Sequence, residues 1–249
     1  MGARLGAPAR HLGAVGSTMT EAAAWAAEGA PHGALVVARH QTAGRGRHGR
    51  TWADAPGASL MLSLVLRPRA DALGLVGLAA GLALAEALDG FGVGARLKWP
   101  NDVRVGGRKL AGVLAEARWA GRSPVVLVGV GLNVDPESVP ADLAGRAAAL
   151  SDVAGRPVGR LDPLGPFLDR FERRLAEAEG APARLVAAVE GRMEGVGDVV
   201  RVAFPGVRRA AVEGRVLGLG PDGALRLATA EGERAVRAGE VTLAGAPVP

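Results

Sequence analysis

Short apolar runs joined by tight turns constrain the fold of this chain most. Six runs rich in β-branched residues and leucine are typical of β-strands; they cover residues 33–39, 59–66, 96–99, 103–105, 109–118 and 125–130. The pair Gly106–Gly107 forms a two-residue connection of the kind that joins the strands of a hairpin. Strands joined so closely pair antiparallel. The chain is therefore predicted to fold around a mixed, largely antiparallel sheet.

Helical periodicity marks four further segments. They cover residues 18–29, 73–88, 163–179 and 182–194. Thr18 and Glu21 have the spacing of a capping box at the start of the first segment. The second segment contains an uncharged apolar run at residues 72–85, which is too short to cross a bilayer. We therefore predict a buried core helix here and no membrane association.

The sequence changes in character after Gly197. Short β-like runs alternate with turns such as Pro205–Gly206. This pattern predicts a small β-barrel of about fifty residues. We therefore predict an α+β protein with a larger domain at residues 1–195 and a small β-domain at residues 196–249.

A stretch rich in glycine and arginine, QTAGRGRHGRTW, covers residues 41–52. Glycine lets the backbone bend tightly against a ligand, and the planar donors of arginine suit carboxylate or phosphate. The stretch predicts a mobile loop that closes over a small anion. A solvated basic linker has the same composition. Two further motifs favour the ligand-binding loop over the linker: KWPND at residues 98–102 and GVGLNV at residues 129–134.

The rarest polar residues of the chain lie in or beside these stretches. The sequence has no Ile, Tyr or Cys, a bias that we attribute to a GC-rich genome, and the lack of Cys excludes disulfides and thiolate metal sites. Lysine is a compact point charge, and an amide donates and accepts hydrogen bonds without charge. The retention of a few lysines and amides at these places indicates a site for a polar, partly neutral ligand. The lysines, asparagines and glutamine of the chain are Lys98, Lys109, Asn101, Asn133 and Gln41.

The motifs GRGRHGR, KWPNDV with KLAG beginning at Lys109, and GVGLNV, in this order, resemble those of the biotin protein ligase family. The resemblance extends from Ser17 to the C-terminal strands. It implies a catalytic domain related to class II aminoacyl-tRNA synthetases and an SH3-like C-terminal barrel. The implied enzyme joins biotin to a lysine of a carrier protein through biotinoyl-AMP.

The resemblance also implies which residues bind biotin. Ser17, Thr18 and Gln41 supply hydroxyl and amide groups for the ureido ring, although capping of the first helix explains Thr18 as well. Trp52 forms an apolar wall for the bicyclic ring, and plain core packing explains it almost equally well. The other implied biotin contacts are Gly44, Arg45, Arg47, Lys109, Gly112, Gly129 and Gly131.

At the other end of the implied site, two anions must meet, the biotin carboxylate and the α-phosphate of ATP. Arg47, Lys98 and Lys109 are the implied catalytic residues, and Mg²⁺, held by Asp102, offsets the polyphosphate charge. An Asx-type turn after Pro100 also explains Asn101 and Asp102. The implied ATP contacts are Arg45, Arg47, Lys98, Trp99, Asn101, Asp102, Lys109 and Asn133. His48 and Glu116 receive no role.

The implied partner is a biotin carboxyl carrier protein, or the corresponding domain of a biotin-dependent carboxylase. Some family members carry an N-terminal helix-turn-helix domain, but sixteen residues precede Ser17, too few for one, so we expect no DNA binding. The N-terminus does not resemble a signal peptide, and we expect a cytoplasmic protein. A homodimer is compatible with the resemblance, and the sequence does not decide the oligomeric state.

Two other functions remain open at this stage. A lipoate or octanoate ligase of the same superfamily would share the fold and the acyl-adenylate chemistry, but a lipoyl tail offers no partner to the amide of Gln41. A non-enzymatic RNA-binding protein would use GRGRHGR as a basic patch. That alternative leaves the rare lysines and amides unexplained, and the formal net charge is only +5 with 3% aromatic residues.

We predict that at least one of the variants Lys98→Arg and Lys109→Arg loses adenylate formation by roughly ten- to a thousandfold, the scale of a lost transition-state contact. Arginine keeps the charge but spreads it over a bulkier plane. Pyrophosphate release in the presence of biotin and MgATP measures the effect. Parent-like rates in both variants would contradict the inference from the rare lysines.

Overall fold

The structure is a computed structural model that describes residues 4–120, 123–208 and 210–243. The helices are α1 (Thr18–Ala27), α2 (Leu73–Asp89), α3 (Leu150–Ala154), α4 (Leu164–Gly180) and α5 (Pro182–Arg192). The strands of the first sheet are β1 (Ala9–Val15), β2 (Ala34–Gln41), β3 (Ser59–Leu66), β4 (Arg96–Lys98), β5 (Asp102–Val105), β6 (Arg108–Ala120) and β7 (Ser123–Asn133). Those of the second are β8 (Val199–Ala203), β9 (Val212–Leu219), β10 (Leu225–Thr229), β11 (Gly232–Val236) and β12 (Glu240–Leu243).

The first sheet has seven strands in the order β1-β2-β3-β7-β6-β5-β4. β1 and β2 are parallel, and all the other neighbours are antiparallel. The predicted hairpin at Gly106–Gly107 joins β5 to β6, and both glycines have positive φ, which the turn requires. The prediction of a mixed, largely antiparallel sheet is confirmed.

The sheet is covered on both faces, which explains its continuous apolar strands. All eight residues of β3 are buried. Alternate residues of β2 face two different hydrophobic clusters: Val37 packs with α2 and α4, whereas Val36 packs with α1. Within α4, the rings of Phe167 and Phe171 stack with their centroids 5.4 Å apart. The predicted core role of the phenylalanines is thus confirmed.

Two elements were not predicted from the sequence. β1 is an edge strand whose residues are mostly exposed, so it lacks the apolar run that identifies the other strands. α3 is only five residues long and lies at the end of a stretch that has the composition of a loop. β2 and β7 also continue beyond the predicted runs, to Gln41 and Asn133, which brings both motif residues onto strand ends.

The segment Ala70–Asp89, by length and composition only, is long and apolar enough to cross a membrane. It is longer than the uncharged run at residues 72–85 on which the prediction rested, because the helix continues past the charge of Glu86. Within the fold, 72% of the apolar window is buried. Its packing against α4 and the sheet therefore explains its composition.

The second sheet is antiparallel, with five strands in the order β11-β10-β9-β8-β12. It rests on α2 through Gly223, where φ is +78° and an added Cβ would lie 2.8 Å from Cδ1 of Leu78. Nε1 of Trp99 donates to the Gly223 carbonyl at 3.1 Å. The predicted α+β class with a small C-terminal β-unit is confirmed. Division into domains at residues 195 and 196 stays a prediction, and residues 244–249 of the second domain lie outside the described residues.

Candidate active site

A cavity of about 220 Å³ lies where the two sheets meet. Segments far apart in the chain form its wall: the start of α1, the loop at residues 45–52, the turn at residues 98–102, the middle of β6 and β7, and β12. All three sequence motifs therefore face one space.

The neutral end of the cavity is a hydrogen-bonded group around Gln41. The backbone N–H and the hydroxyl of Thr18 donate to Oε1 of Gln41 at 2.7 and 3.0 Å, and the Ser63 hydroxyl donates to Thr18 Oγ1 at 2.8 Å. Among the described residues, Nε2 of Gln41 has only the weak acceptor Met61 Sδ, at 3.3 Å. The amide N–H of Gln41 is thus well placed to donate a hydrogen bond to a ligand oxygen.

The first turn of α1 explains why Thr18 is available for this group. The cap is Ser17, whose hydroxyl oxygen accepts from the Met19 N–H at 3.3 Å, and the helix itself begins at Thr18. The predicted capping box at Thr18 and Glu21 was therefore wrong by one residue. The side chain of Thr18 contacts Gln41 instead of a backbone donor of the helix.

The floor of the cavity is bare backbone. Gly112 and Gly131 are register partners on β6 and β7, and the indole of Trp52 lies over both. A Cβ on Gly131 would lie 2.5 Å from Trp52 Cε2, and one on Gly112 would lie 3.2 Å from Cζ3. A Cβ on Gly129 would lie 2.9 Å from Sδ of Met19. Trp52 thus forms both a cavity wall and a packing contact, so the two interpretations of this residue are compatible.

The opposite side of the cavity is cationic. Nζ of Lys109 lies 2.7 Å from Oδ1 of Asp102 and 5.6 Å from the centroid of the Trp52 ring. Burial lowers the pKa of Lys98, an effect that the nearby Asp102 carboxylate opposes. Burial also lowers the pKa of Arg47 from its usual value, and Asp102 again opposes the shift. Three cations thus face the same space, and Asp102 acts on each of them.

The loop at residues 44–52 is a short hairpin. Trp52 N–H donates to the Gly44 carbonyl at 2.9 Å, and Gly46 N–H donates to the Arg50 carbonyl at 2.7 Å. His48 has φ of 55° at the exposed tip, a backbone conformation that accounts for it without a chemical role. These backbone hydrogen bonds therefore define the shape of the loop.

The arginines of this hairpin connect it to both sheets. Arg45 pairs with Glu116 on β6, which gives a structural role to a glutamate that the sequence left unassigned. Arg50 Nη2 pairs with Glu240 Oε2 at 2.6 Å. Nη1 of Arg47 donates to Oδ1 of Asn101 and to the carbonyl of Gly239, each at 3.2 Å. These contacts hold the loop over the cavity.

Sequence reasoning missed the contribution of the second sheet. β12 and the residue before it form part of the cavity wall, namely Gly239, Glu240, Val241 and Thr242. Nothing in the local sequence distinguishes this strand from the others of its sheet. Only the docking of the second sheet on α2 brings it to the site.

Most of the residues expected at the site line the cavity: Ser17, Thr18, Gln41, Arg45, Arg47, Trp52, Lys98, Trp99, Asn101, Asp102, Lys109, Gly112, Gly129 and Gly131. The ring of Trp99 is 5% exposed and bonded to Gly223, so packing rather than ligand stacking accounts for it. Gly44 and Asn133 are not part of the wall.

The two residues outside the wall have structural contacts. A Cβ on Gly44 would lie 2.4 Å from the Trp52 carbonyl oxygen, so this glycine permits the close approach of the hairpin strands. Asn133 is buried, and its Nδ2 donates to the Ala148 carbonyl at 3.2 Å. The expected contact of Asn133 with ATP finds no support in this geometry, because its amide is turned to the chain after β7.

Comparison with known proteins identifies relatives along nearly the whole chain. Residues 13–133 match the model of the biotin/lipoate A/B protein ligase family. The biotin–[acetyl-CoA-carboxylase] ligase of Paracoccus denitrificans is 36% identical over 88% of this chain and 94% of its own length. The enzyme of that name from Mycobacterium tuberculosis is 39% identical over 77% and 73%. The Aquifex aeolicus biotin protein ligase, solved with biotin and ATP, superposes with a TM-score of 0.77 at 27% identity, covering 94% and 97%.

We predict that Gly131→Ala raises the Kd of the small-molecule acid bound in this cavity at least tenfold, because the new methyl group displaces the Trp52 ring into the space below the loop. Isothermal titration calorimetry measures the Kd. Gly94→Ala is the matched control, since a Cβ there has nothing within 4 Å. An equal, small effect of both substitutions would contradict the role of the bare floor.

Proposed function

Because the chain belongs to the biotin/lipoate A/B protein ligase family, we propose that it is a biotin–protein ligase. It activates biotin with ATP to biotinoyl-5′-AMP and transfers biotin to a lysine of a biotin carboxyl carrier protein. The observation that carries this proposal is one cavity with a neutral amide end at Gln41 and a cationic end at Lys98, Lys109 and Arg47. Biotin has the same two ends, a neutral ureido ring and a carboxylate.

The reaction has two steps. A carboxylate oxygen of biotin attacks the α-phosphorus of ATP, a P–O bond forms, and pyrophosphate leaves with the electrons of the broken bond. The neutral ε-amine of a carrier lysine then attacks the carbonyl carbon of this mixed anhydride. An amide forms, a proton is released, and AMP leaves. The first step brings two anions together, so fixed positive charge lowers its barrier.

At the neutral end, Gln41 Nε2 donates to the ureido oxygen, since its protein partner is only a thioether. Ser17 and Thr18 supply hydroxyl groups at the same place. The bicyclic ring lies against Trp52, and Gly112, Gly129 and Gly131 leave the room that it needs. Gly44 contributes through the position of Trp52.

At the cationic end, Lys109 and Arg47 contact the carboxylate and the α-phosphate, and Lys98 contacts the phosphates of ATP. Arg45, Asn101, Asp102 and Trp99 complete the proposed nucleotide site. Loss of solvent around Lys98 strengthens its attraction for phosphate.

Mg²⁺ enters this proposal with ATP. Among the residues that the structure describes, no three His, Cys, Asp or Glu side chains form a metal-binding group. Asp102 offers one carboxylate, which fits Mg²⁺ because this ion is usually held by one or two carboxylates together with substrate phosphates and water. The ion supplies charge neutralisation on the polyphosphate, and Asp102 would exchange its pairing with Lys109 for it.

The proposed partner is the biotin carboxyl carrier protein of a biotin-dependent carboxylase, as the names of the relatives suggest for those proteins. A cytoplasmic location, a lack of DNA binding and a homodimeric state are further expectations on which the described geometry does not bear.

We predict that biotin, and not lipoate or octanoate, is transferred to a carrier lysine. The protein is incubated with each free acid, MgATP and candidate carrier domains, and intact mass is measured. A mass increase of one biotinyl group with release of AMP and pyrophosphate is expected. Lipoyl transfer at a comparable rate would overturn the substrate, and absence of any transfer by folded protein would favour a binding function instead.

We also predict that Arg47→Gly releases the adenylate more than it weakens the fold. The guanidinium of Arg47 fixes the loop to Asn101 and Gly239, and a loop that excludes water keeps the reactive anhydride in place. Biotin should then appear on bystander proteins, rise with time and be suppressed by added free amine. His48→Gly is the matched control, since it adds the same backbone freedom without removing a cavity charge. Labelling confined to the carrier, at matched adenylate production, would contradict the retention role.

A further inference from the structure

The hairpin over the cavity is closed at its base by two side chains. His40 lies one residue before Gln41, and Asp54 lies two residues after Trp52. Nδ1 of His40 is 3.3 Å from Oδ2 of Asp54, across 14 positions of sequence. Next to this contact, Gly57 N–H donates to the Arg39 carbonyl at 2.9 Å. The entry and the exit of the loop are therefore joined at one point.

The burial of the Asp54 carboxylate in this contact is unfavourable for the stability of the fold. The side chain of Asp54 is fully buried, and its Oδ1 has no hydrogen-bond partner in the described part of the chain. Burial raises the pKa of the Asp54 carboxyl, and the hydrogen bond and charge of His40, with the Gln41 N–H, oppose the shift only in part. A buried carboxylate with an unsatisfied oxygen costs folding free energy. Buried polar atoms without a partner are few in folded proteins, and each calls for an explanation.

The neighbours of the pair indicate what that function is. Gln41, the next residue after His40, accepts from Thr18 at Oε1 and directs its amide N–H to the weak acceptor Met61 Sδ. Trp52, two residues before Asp54, lies on the bare floor at Gly112 and Gly131. The two residues approach the cavity from opposite ends of the loop. Their separation therefore depends in part on the contacts that join those ends, and the His40–Asp54 pair is one of these contacts.

We propose that His40 and Asp54 are positioning residues that close the base of the loop and so fix Gln41 and Trp52 on either side of bound biotin. The pair touches neither substrate nor ATP. It acts through its neighbours, and the assignment of biotin rests on the function proposed above. A weakened pair leaves the cationic wall intact, so biotin binding is affected and the chemical step is not.

The test compares Asp54→Ala with Asp54→Asn. Asp54→Ala removes the tie, and we expect the KM for biotin to rise about three- to tenfold, the scale of one hydrogen bond, with kcat within twofold of the parent. Asp54→Asn keeps an oxygen that accepts from His40, and we expect it to restore most of the lost affinity. Glu233→Ala is the matched control: it breaks an arginine pair with Arg226 on the second sheet, away from the cavity, and should leave KM unchanged.

Thermal unfolding separates positioning from a structural role. Both Asp54 variants lose a buried carboxylate, so their Tm is expected to equal or exceed that of the parent. The advantage is fully present above the raised pKa of Asp54 and shrinks as the pH falls, because the parent carboxyl then takes up a proton. A variant whose Tm and kcat fall while its KM for biotin rises would overturn the proposal. An unchanged KM in Asp54→Ala, or a lack of rescue by Asp54→Asn, would also overturn it.

Limited trypsin cleavage tests the tie without biotin. Arg45 and Arg50 are exposed in the loop, and Asp54→Ala should be cut there faster than the parent and than Glu233→Ala. If the parent transfers no biotin yet this difference appears, the proposed function fails and the base contact stands. Equal cleavage of all three proteins would overturn the base contact, whatever the activity.

Discussion

The carboxylate of Asp102 is the charge on which the cationic side of the cavity depends. It pairs directly with Lys109 and opposes the lowering of the pKa that burial causes in Lys98 and Arg47. Three cations without this carboxylate would repel one another in a poorly solvated space. A single acid on the turn after Pro100 thus allows an otherwise unfavourable group to exist before any anion arrives. ATP and biotin then supply the negative charge that the wall lacks.

The cavity is complete only because three separate parts of the chain meet. The first sheet supplies the floor, the hairpin at residues 44–52 supplies the lid, and β12 of the second sheet supplies the far wall. The hairpin contacts both sheets, through Arg45 to Glu116 and through Arg50 to Glu240. Partly exposed ion pairs of this kind are individually weak, so each contributes little alone to the position of the hairpin.

Sequence patterns predicted the parts of the fold that have strong local signals. β3 and α2 are continuous apolar runs, and the pair Gly106–Gly107 is typical of a tight hairpin turn. The edge strand β1 could not be found, because an exposed strand needs no apolar pattern. The rare residues Lys98, Lys109, Asn101 and Gln41 all line the cavity, since composition marks residues that are hard to exchange, and the motif resemblance supplied the other expected wall residues. Asn133 failed this rule because a buried structural amide is just as hard to replace.

The contact between His40 and Asp54 and the wall at Glu240 were beyond sequence reasoning for a different reason. Each depends on the approach of segments whose separation in space is decided by the whole fold. Neither contact is marked by a sequence motif. Long-range contacts of this sort become visible only when the three-dimensional arrangement is known.

The paired glycines on β6 and β7 have a consequence for the thermodynamics of ligand capture. A floor of hydrogen-bonded backbone has no rotamers, so the Trp52 indole that lies on it freezes no side chain there, and the conformational entropy lost on ligand binding falls on the hairpin above. The selectivity for shape is thus set by a rigid surface, and the adjustable part of the affinity is set by how much order the arginine loop gains. Changes to the loop should alter affinity mainly through entropy, while changes to the floor alter which rings can enter at all.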